Sequence, residues 1–203
     1  MNNPADELST SIVGLDIGGA NIKIASADGR ADDRVFPLWK RPEDLSDVLR
    51  DLVHSFHPVH ESADRRLIPK ERRLAVTMTG ELADCFRDRQ EGVRKIVDAC
   101  EALRNSLSIQ WIGYYGVDGN FHRPDEAKQA VDLIAAANWH ALASHVAEHF
   151  SGDGWLCDVG STTCDLIRWK KGRVQTTSRT DYDRLRQGEL IYVGCRRTPV
   201  CSL

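Results

Sequence analysis

Two short strings in this 203-residue chain carry the residue types needed to hold a phosphate. Asp16-Ile17-Gly18-Gly19-Ala20-Asn21-Ile22-Lys23 is followed 142 residues later by Asp158-Val159-Gly160-Ser161-Thr162-Thr163-Cys164-Asp165. Each closes an apolar run with an aspartate, places a glycine two residues on, fills the turn with small residues and enters a second strand-like run. Small turn residues let backbone N–H groups reach phosphate oxygens without side-chain obstruction. Asn21, Ser161, Thr162 and Thr163 add neutral donors. Asp16 and Asp158 would repel a bare phosphate, so they are candidate holders of Mg²⁺, or of a water beside it. Two such hairpins facing each other across a cleft would clamp a di- or triphosphate. Lys23 could reach a phosphate, although alternation along its strand could equally turn it to solvent. A single Asp-x-Gly-Gly is a common string; its duplication about one domain apart gives it weight.

Other clusters carry less. His54, His57 and His60 are spaced by three, but Pro58 breaks any helix that would align them. His145 and His149 are four apart on an expected helix and lack a third ligand. The basic run Arg65, Arg66, Lys70, Arg72 and Arg73 has no interleaved aromatics, so a solvated loop is expected rather than a nucleic-acid surface. Cys85, Cys100, Cys157, Cys164, Cys195 and Cys201 form no CxxC pair, and bystander or structural thiols are expected. Trp111, Tyr114 and Tyr115 read as core packing with one exposed ring.

Composition narrows the class. Twenty-seven Lys and Arg against thirty Asp and Glu give a net charge of −3, so no general pull toward nucleic acid is expected. No run approaches 18 apolar residues, which excludes a spanning helix. Residues 1–11 are polar, read as a flexible N-terminus, and carry no export signal. A cytoplasmic, reducing location is the expectation.

The elements that must position the hairpins follow from pattern. Strands are expected at 11–17, 21–27 and 34–39, with Asp28-Gly29 as a turn. Pro42 opens a helix to Phe56 with Leu45, Val48, Leu49, Leu52 and Val53 on one stripe. A loop over 57–72 precedes a strand at 73–79, a helix begins at Glu81, and a longer helix covers 91–106. A strand at 108–115 and a helix from Pro124 to about Phe150, bent near Asn138, complete the first unit. The pattern then restarts with strands at 154–159, 163–169 and 173–178. The reading is α/β, with residues 12–150 as one unit and 151–203 as the start of its repeat.

At this level the chain resembles the actin-like ATPase superfamily, through GLDIGGANIKIA (14–25) and CDVGSTTCDL (157–166). Within it the resemblance is to the hydantoinase A/oxoprolinase family, and to its branch linked to methanofuran biosynthesis and tetrahydromethanopterin-dependent one-carbon metabolism. It rests on GLDIGGANIK, MTGELADCF (78–86), AANWHA (136–141), DVGSTTCDL and GELIYVGCRRTPVC (188–201). The resemblance implies a duplicated actin-like (ribonuclease H-like) fold, with mixed sheets flanked by helices. It also implies transfer of a furanylmethyl group from its diphosphate to a phenolic, tyramine-type amine acceptor, with diphosphate released.

That chemistry assigns roles. Gly18, Gly19, Asn21, Lys23, Gly160, Ser161, Thr162 and Thr163 would bind diphosphate, with Arg196 and Arg197 as a bidentate clamp. Mg²⁺ at Asp16 and Asp158 would stabilise the leaving group. His140 is the candidate base for the phenol, since imidazole titrates near neutrality, with Glu81 and Asp84 competing from a strand-to-helix junction. A partly buried helix histidine and first-turn acids that favour the helix dipole are the plain readings of those three.

The competing functions are a sugar-kinase-like phosphotransferase, an ATP-dependent oxoprolinase-type amidohydrolase and a non-enzymatic nucleotide-dependent scaffold. An E-G-N-H-D loop and a Cys-rich zinc motif of sugar kinases are missing, as is the adenosine-binding glycine segment that ATP use would require. About 25 residues follow the third strand of the second unit. A sheet with little helix cover is therefore expected, completed by a partner or oligomer if the chain is not a fragment.

Overall fold

The apolar run that ends at Asp16 becomes the central strand of a six-stranded sheet, because both of its edges find partners. The computed structural model describes residues 10–56, 71–160, 163–195 and 198. β1 (Thr10–Ile17), β2 (Asn21–Ser26) and β3 (Ala31–Val35) form an antiparallel meander. β4 (Glu71–Met78) pairs in parallel with β1 along its whole length, and β5 (Trp111–Tyr115) in parallel with β4. β6 (Phe121–His122) closes the order β3-β2-β1-β4-β5-β6. This mixed, helix-flanked sheet is the α/β, ribonuclease H-like order that the resemblance implied.

Period-2 alternation decides the buried face. Val13, Leu15 and Ile17 of β1 and Ile22 and Ile24 of β2 are buried at 0–3% exposure, with Leu74, Val76 and Met78 of β4 beside them. Pro42 does start the next element, as a short 3₁₀ turn running into α1 (Leu45–Phe56). Leu45, Leu49, Leu52, Val53 and Phe56 of α1 face the core, each fully buried leucine contributing about 1.5–3 kcal/mol. α2 (Arg89–Glu101) starts where Asp88 caps it: the Glu91 N–H donates to the Asp88 carboxylate at 2.8 Å. α3 (Leu103–Ser106), α4 (Pro124–Gln129) and α5 (Val131–Ile134) complete this unit, which comprises residues 1–116 and 120–137.

The second unit comprises residues 117–119 and 138–203. β7 (Gly154–Val159) and β8 (Cys164–Lys170) form its hairpin, β10 (Leu190–Ile191) pairs with the other edge of β8, and β9 (Arg173–Val174) also pairs with β8. α6 (Asn138–His149) packs Trp139 and Ala143 against Ile167 of β8. Gly154 makes room for the Trp169 ring, from which a Cβ at this position would lie 2.2 Å.

Five local expectations change. The third strand ends at Val35, because Phe36 and Leu38 bury their side chains and donate their N–H groups to the first hairpin instead. The helix expected over 124–150 is three helices, with Ala136 at φ 51 interrupting the last junction. The strand expected over 173–178 shrinks to β9, and its place in the sheet is taken by β10. An unforeseen helix, α7 (Asp181–Gln187), fills the interval, capped by the Thr180 hydroxyl and ended by Gly188 in the left-handed conformation. Tyr114 and Tyr115 are both buried, and the exposed ring of that cluster is Phe121, edge-on to Trp111 and Tyr115.

Candidate functional site: two glycine hairpins and a histidine–arginine cluster

The two hairpins share one geometry. In the first, Asp16 pairs with Lys23 and Ile17 with Ile22, and Gly18 N–H donates to the Asn21 carbonyl at 2.9 Å. In the second, Asp158 pairs with Asp165 and Val159 with Cys164, and Gly160 N–H donates to the Thr163 carbonyl at 2.8 Å. Every partner in one hairpin lies 142 residues from its counterpart in the other. Both closures are tight: a Cβ on Gly18 would sit 2.8 Å from the Asn21 carbonyl oxygen, closer than a side chain can be placed without a backbone shift, and one on Gly160 3.1 Å from that of Thr163.

The tip of the first hairpin is held from one side. Leu38 N–H donates to the Gly19 carbonyl at 2.9 Å and Phe36 N–H to the Ala20 carbonyl at 2.8 Å. A trans peptide points its N–H opposite its C=O, so the amides of Ala20 and Asn21 face away from that segment. A Cβ on Gly19 would meet nothing within 4 Å. The tip thus offers backbone donors beside open space, the arrangement an anion needs.

Asp16 accepts from Thr77 Oγ1 at 3.2 Å and pairs with Lys23 Nζ at 3.5 Å. Asn21 donates to Asp33 at 2.8 Å. At the end of β4, Thr79 N–H donates to the Ile17 carbonyl at 3.0 Å, and a Cβ on Gly80 would lie 3.1 Å from the Gly18 carbonyl oxygen. Glu81 follows and is 1% exposed, with α2 pressed on its backbone at Gly92. The first unit therefore gathers Asp16, Gly18, Gly19, Asn21, Lys23 and Glu81 at the carboxyl ends of β1 and β4. Asp84 is exposed, and neither it nor Glu81 lies in the first turn of α2, which begins at Arg89.

In the second unit the carboxylate opposite Asp158 is paired from outside the hairpin. Arg184 of α7, 2% exposed, donates to Asp165 at 2.6 Å and to the Glu189 carbonyl at 3.3 Å. Its guanidinium lies 3.8 Å from the centroid of the Trp139 ring. Burial holds the Asp165 carboxyl above its usual range, and Arg184 opposes that. Cys195 N–H donates to the Gly160 carbonyl at 3.0 Å.

His140 follows Trp139 on α6, with Ser144 Oγ 3.3 Å from its Nδ1. Its pKa is lowered, first by burial; the Arg184 charge adds to this and Asp118 opposes it. A neutral imidazole at neutral pH is what a base requires. Arg184, Thr77, Ser144 and Asp118 were missed by the sequence reading. The capping signals Thr180-x-x-Asp183 and Gly188 could have revealed α7, but nothing marks Arg184 as buried.

Ser161, Thr162, Arg196 and Arg197 lie outside the described residues, as do His57, His60, Arg65, Arg66, Lys70 and Cys201. His54 and Arg72 lie within them; Arg72 donates to the Leu107 carbonyl at 2.8 Å. The ring centroids of His145 and His149 lie 4.1 Å apart with the planes tilted by 45°, and His149 Nδ1 lies 2.8 Å from the His145 carbonyl. Among the described residues no group of three His, Cys, Asp or Glu side chains could enclose a metal ion, and no cysteine is in a disulfide. Asp16 in the first hairpin and Asp158 in the second, where the facing Asp165 is paired with Arg184, still suit Mg²⁺, a hard cation commonly bound through one or two carboxylates plus phosphate oxygens and water. No helix among the described residues is long and apolar enough to cross a membrane.

A family model described as Hydantoinase/oxoprolinase matches residues 72–200. A Methanocaldococcus jannaschii protein named (4-{4-[2-(gamma-L-glutamylamino)ethyl]phenoxymethyl}furan-2-yl)methanamine synthase is 37% identical over 195 residues, which are 95% of this chain and 53% of that protein. A Methanococcus vannielii protein of the same name is 39% identical over 61 residues, 30% of this chain and 27% of its own length. Among solved structures, an Aquifex aeolicus Ppx/GppA phosphatase is similar at 10% identity and a TM-score of 0.42, over 82% of this chain and 50% of that one. The chain spans about half the length of the M. jannaschii relative.

Proposed function

The chain belongs to the hydantoinase/oxoprolinase family, and from that premise we propose that it serves a methanofuran-type cofactor pathway. The reaction is formation of an aryl furfuryl ether. The observation that carries the reading is the 37% identity that runs through both hairpins to a synthase whose named product contains a phenoxymethyl-furan linkage. In the proposed reaction the phenol oxygen of a tyramine-type acceptor attacks the methylene of a furanylmethyl diphosphate. The new carbon–oxygen bond forms as the bond to diphosphate breaks, diphosphate leaves, and the phenol proton passes to a base.

The residues suit that division of labour. Backbone amides at Gly19, Ala20 and Asn21 would orient diphosphate oxygens, with Lys23 adding charge; in the second unit Thr163, Arg196 and Arg197 are the expected donors. Mg²⁺ held by Asp16 or Asp158 would neutralise charge that develops on the leaving group. His140, kept neutral by burial, would accept the phenol proton. Glu81, buried beside the first hairpin, is the competing base, and Asp84 is exposed. The furan oxygen can share positive charge with the methylene carbon, so the barrier is set mainly by how well the diphosphate is held.

The test supplies an (aminomethyl)furanylmethyl diphosphate with tyramine or its γ-glutamyl amide, and follows diphosphate release alongside the ether product by mass spectrometry. One ether per diphosphate is expected. ATP-dependent phosphorylation of a sugar without ether formation would reject the reading.

A further inference from the structure

A row of polar side chains crosses the first hairpin over four strands. Thr77 of β4, Asp16 of β1, Lys23 of β2 and Asp33 of β3 are successive partners in the ladders. They share the face of the sheet opposite the buried Ile17, Ile22 and Met78. Asn21 lies on that same face, two residues before Lys23, and its Nδ2 donates to Asp33 Oδ1 at 2.8 Å. Asp33 is exposed and has no part in the reaction proposed above.

A carboxamide has two ends of nearly equal shape and opposite hydrogen-bonding sense. A carboxylate only accepts, so the end of Asn21 that faces Asp33 is the NH₂ group. Among the described residues the Asn21 side chain makes no other hydrogen bond. With one N–H engaged by Asp33, the second N–H of the same nitrogen is held in one direction. Without that bond the carboxamide is free to turn over and present Oδ1, an acceptor, to an anion.

The second hairpin supplies the contrast. Thr163 stands 142 residues after Asn21, and Asp165 the same distance after Lys23. On the outer strand Lys23 is paired with Asp33, whereas Asp165 is paired with Leu190, which is buried. A hydroxyl rotates to donate wherever an acceptor stands, so Thr163 requires no neighbour to orient it. The outer-strand carboxylate is present where the donor has two unlike ends and absent where it does not.

Charge argues against direct contact between Asp33 and an anion, since like charges repel. Lys23, directly across the ladder from Asp33, offsets part of that charge and is itself 3.5 Å from Asp16 on its other side.

We propose that Asp33 is a positioning residue: by holding one N–H of the Asn21 carboxamide, it aims the other at a diphosphate oxygen at the tip of the first hairpin. The inference rests on the diphosphate-binding role proposed above for that hairpin and goes beyond it in assigning Asp33.

The test is a double-mutant cycle on the full 203-residue chain. Binding of inorganic diphosphate with Mg²⁺ is measured by calorimetry, at one ionic strength, for the wild type, Asn21→Ala, Asp33→Ala and the double variant. Asn21→Ala should weaken binding about tenfold, the worth of a hydrogen bond to a charged group. Asp33→Ala removes the same repelling charge in either background, so that effect cancels in the comparison. Relative to its effect in Asn21→Ala, Asp33→Ala should weaken binding by a further factor of about two to ten in the wild type, the cost of fixing a side chain only when ligand arrives. Melting temperatures should stay close to that of the wild type, because the pair is exposed. The same change in affinity in both backgrounds would overturn the proposal while leaving the role of Asn21 intact. No binding by the wild type, or unchanged affinity in Asn21→Ala, would overturn the donor role of Asn21 and the inference with it.

Discussion

Asp165 lies where the first hairpin has Lys23, and Arg184, 2.6 Å away, carries the charge that the hairpin itself has lost. In the first hairpin Asp16 and Lys23 face each other across the strands and neutralise one another locally. In the second, two carboxylates face each other, and the compensating cation comes from α7, nineteen residues further along the chain. The two hairpins share backbone geometry but differ in how they are held. Asp158 faces a carboxylate already committed to Arg184, which leaves its own negative charge for a ligand or cation.

Arg184→Met should therefore be strongly destabilising, because it leaves Asp165 buried without its partner. A loss of about 3–5 kcal/mol is expected in urea unfolding. Adding Asp165→Asn should restore part of it, since the uncompensated charge is gone. Lys23→Met, at a pair with a well-exposed cation, should change stability by no more than about 1 kcal/mol. Equal losses in the two single variants would mean that α7 does not anchor the second hairpin.

The glycines divide into those the fold needs and those a ligand would need. A Cβ on Gly92 would lie 2.1 Å from the Glu81 carbonyl oxygen, so Gly92→Ala must push α2 off the turn that follows β4. A drop in melting temperature of several degrees is expected, about 4–8 °C for each kcal/mol in a domain of about 100 residues. Gly19→Ala meets nothing and should melt like the wild type. Its expected defect is weaker diphosphate binding, measured by calorimetry, because the added methyl projects into the space beside the donor amides. Unchanged diphosphate affinity in Gly19→Ala would assign the first hairpin a purely structural role.

How much of this was legible depended on whether the signal was local. The hairpins were readable because small turn residues and apolar flanks lie within eight positions, and both closures form at the expected glycines. The α1 stripe was readable for the same reason: Leu45, Leu49, Leu52 and Val53 recur at helical spacing. Phe36 and Leu38 were misread as strand because alternation is shared by strands and by loops that tuck alternate side chains into a core. The break at Ala136, at φ 51, carries no glycine or proline to announce it. Arg184 was invisible because its partners, Asp165, Trp139 and the Glu189 carbonyl, come from three other segments. Only the fold puts them together.

Leu49 and Leu52, both fully buried, tie α1 to the central sheet. Leu49→Ala should cost about 2–5 kcal/mol, the upper part of the range applying if the surrounding β-branched residues cannot collapse into the space. Because α1 lies in the first unit, chemical denaturation followed by hydrogen exchange should show faster exchange in β1, β2 and β4. Protection in β7 and β8 should fall by less, and an equal loss in both sheets would show that the chain unfolds as a single cooperative body.

His140 gives a pH dependence with a defined sign. Its folded pKa lies below the ordinary value because burial disfavours the imidazolium, with Arg184 adding to the effect. The unfolded chain then binds the proton more readily than the folded one as pH falls through about 6.5. The contribution to stability is fully present above that point and is lost progressively below it. Wild-type melting temperature should therefore fall between about pH 7.5 and pH 5, and His140→Gln should fall less over the same interval. Ser144→Ala removes the hydroxyl 3.3 Å from Nδ1 without removing the ring, so it should retain a pH-dependent loss of stability that His140→Gln lacks, displaced along the pH axis in step with the histidine titration seen by NMR. If His140 is the base, kcat/KM for ether formation should rise with pH along a limb centred below about 6.5, and that limb should vanish in His140→Gln. A pH profile unchanged by the substitution would pass the proton-accepting role to Glu81, whose buried position beside Gly80 would then be the next to test by Glu81→Gln.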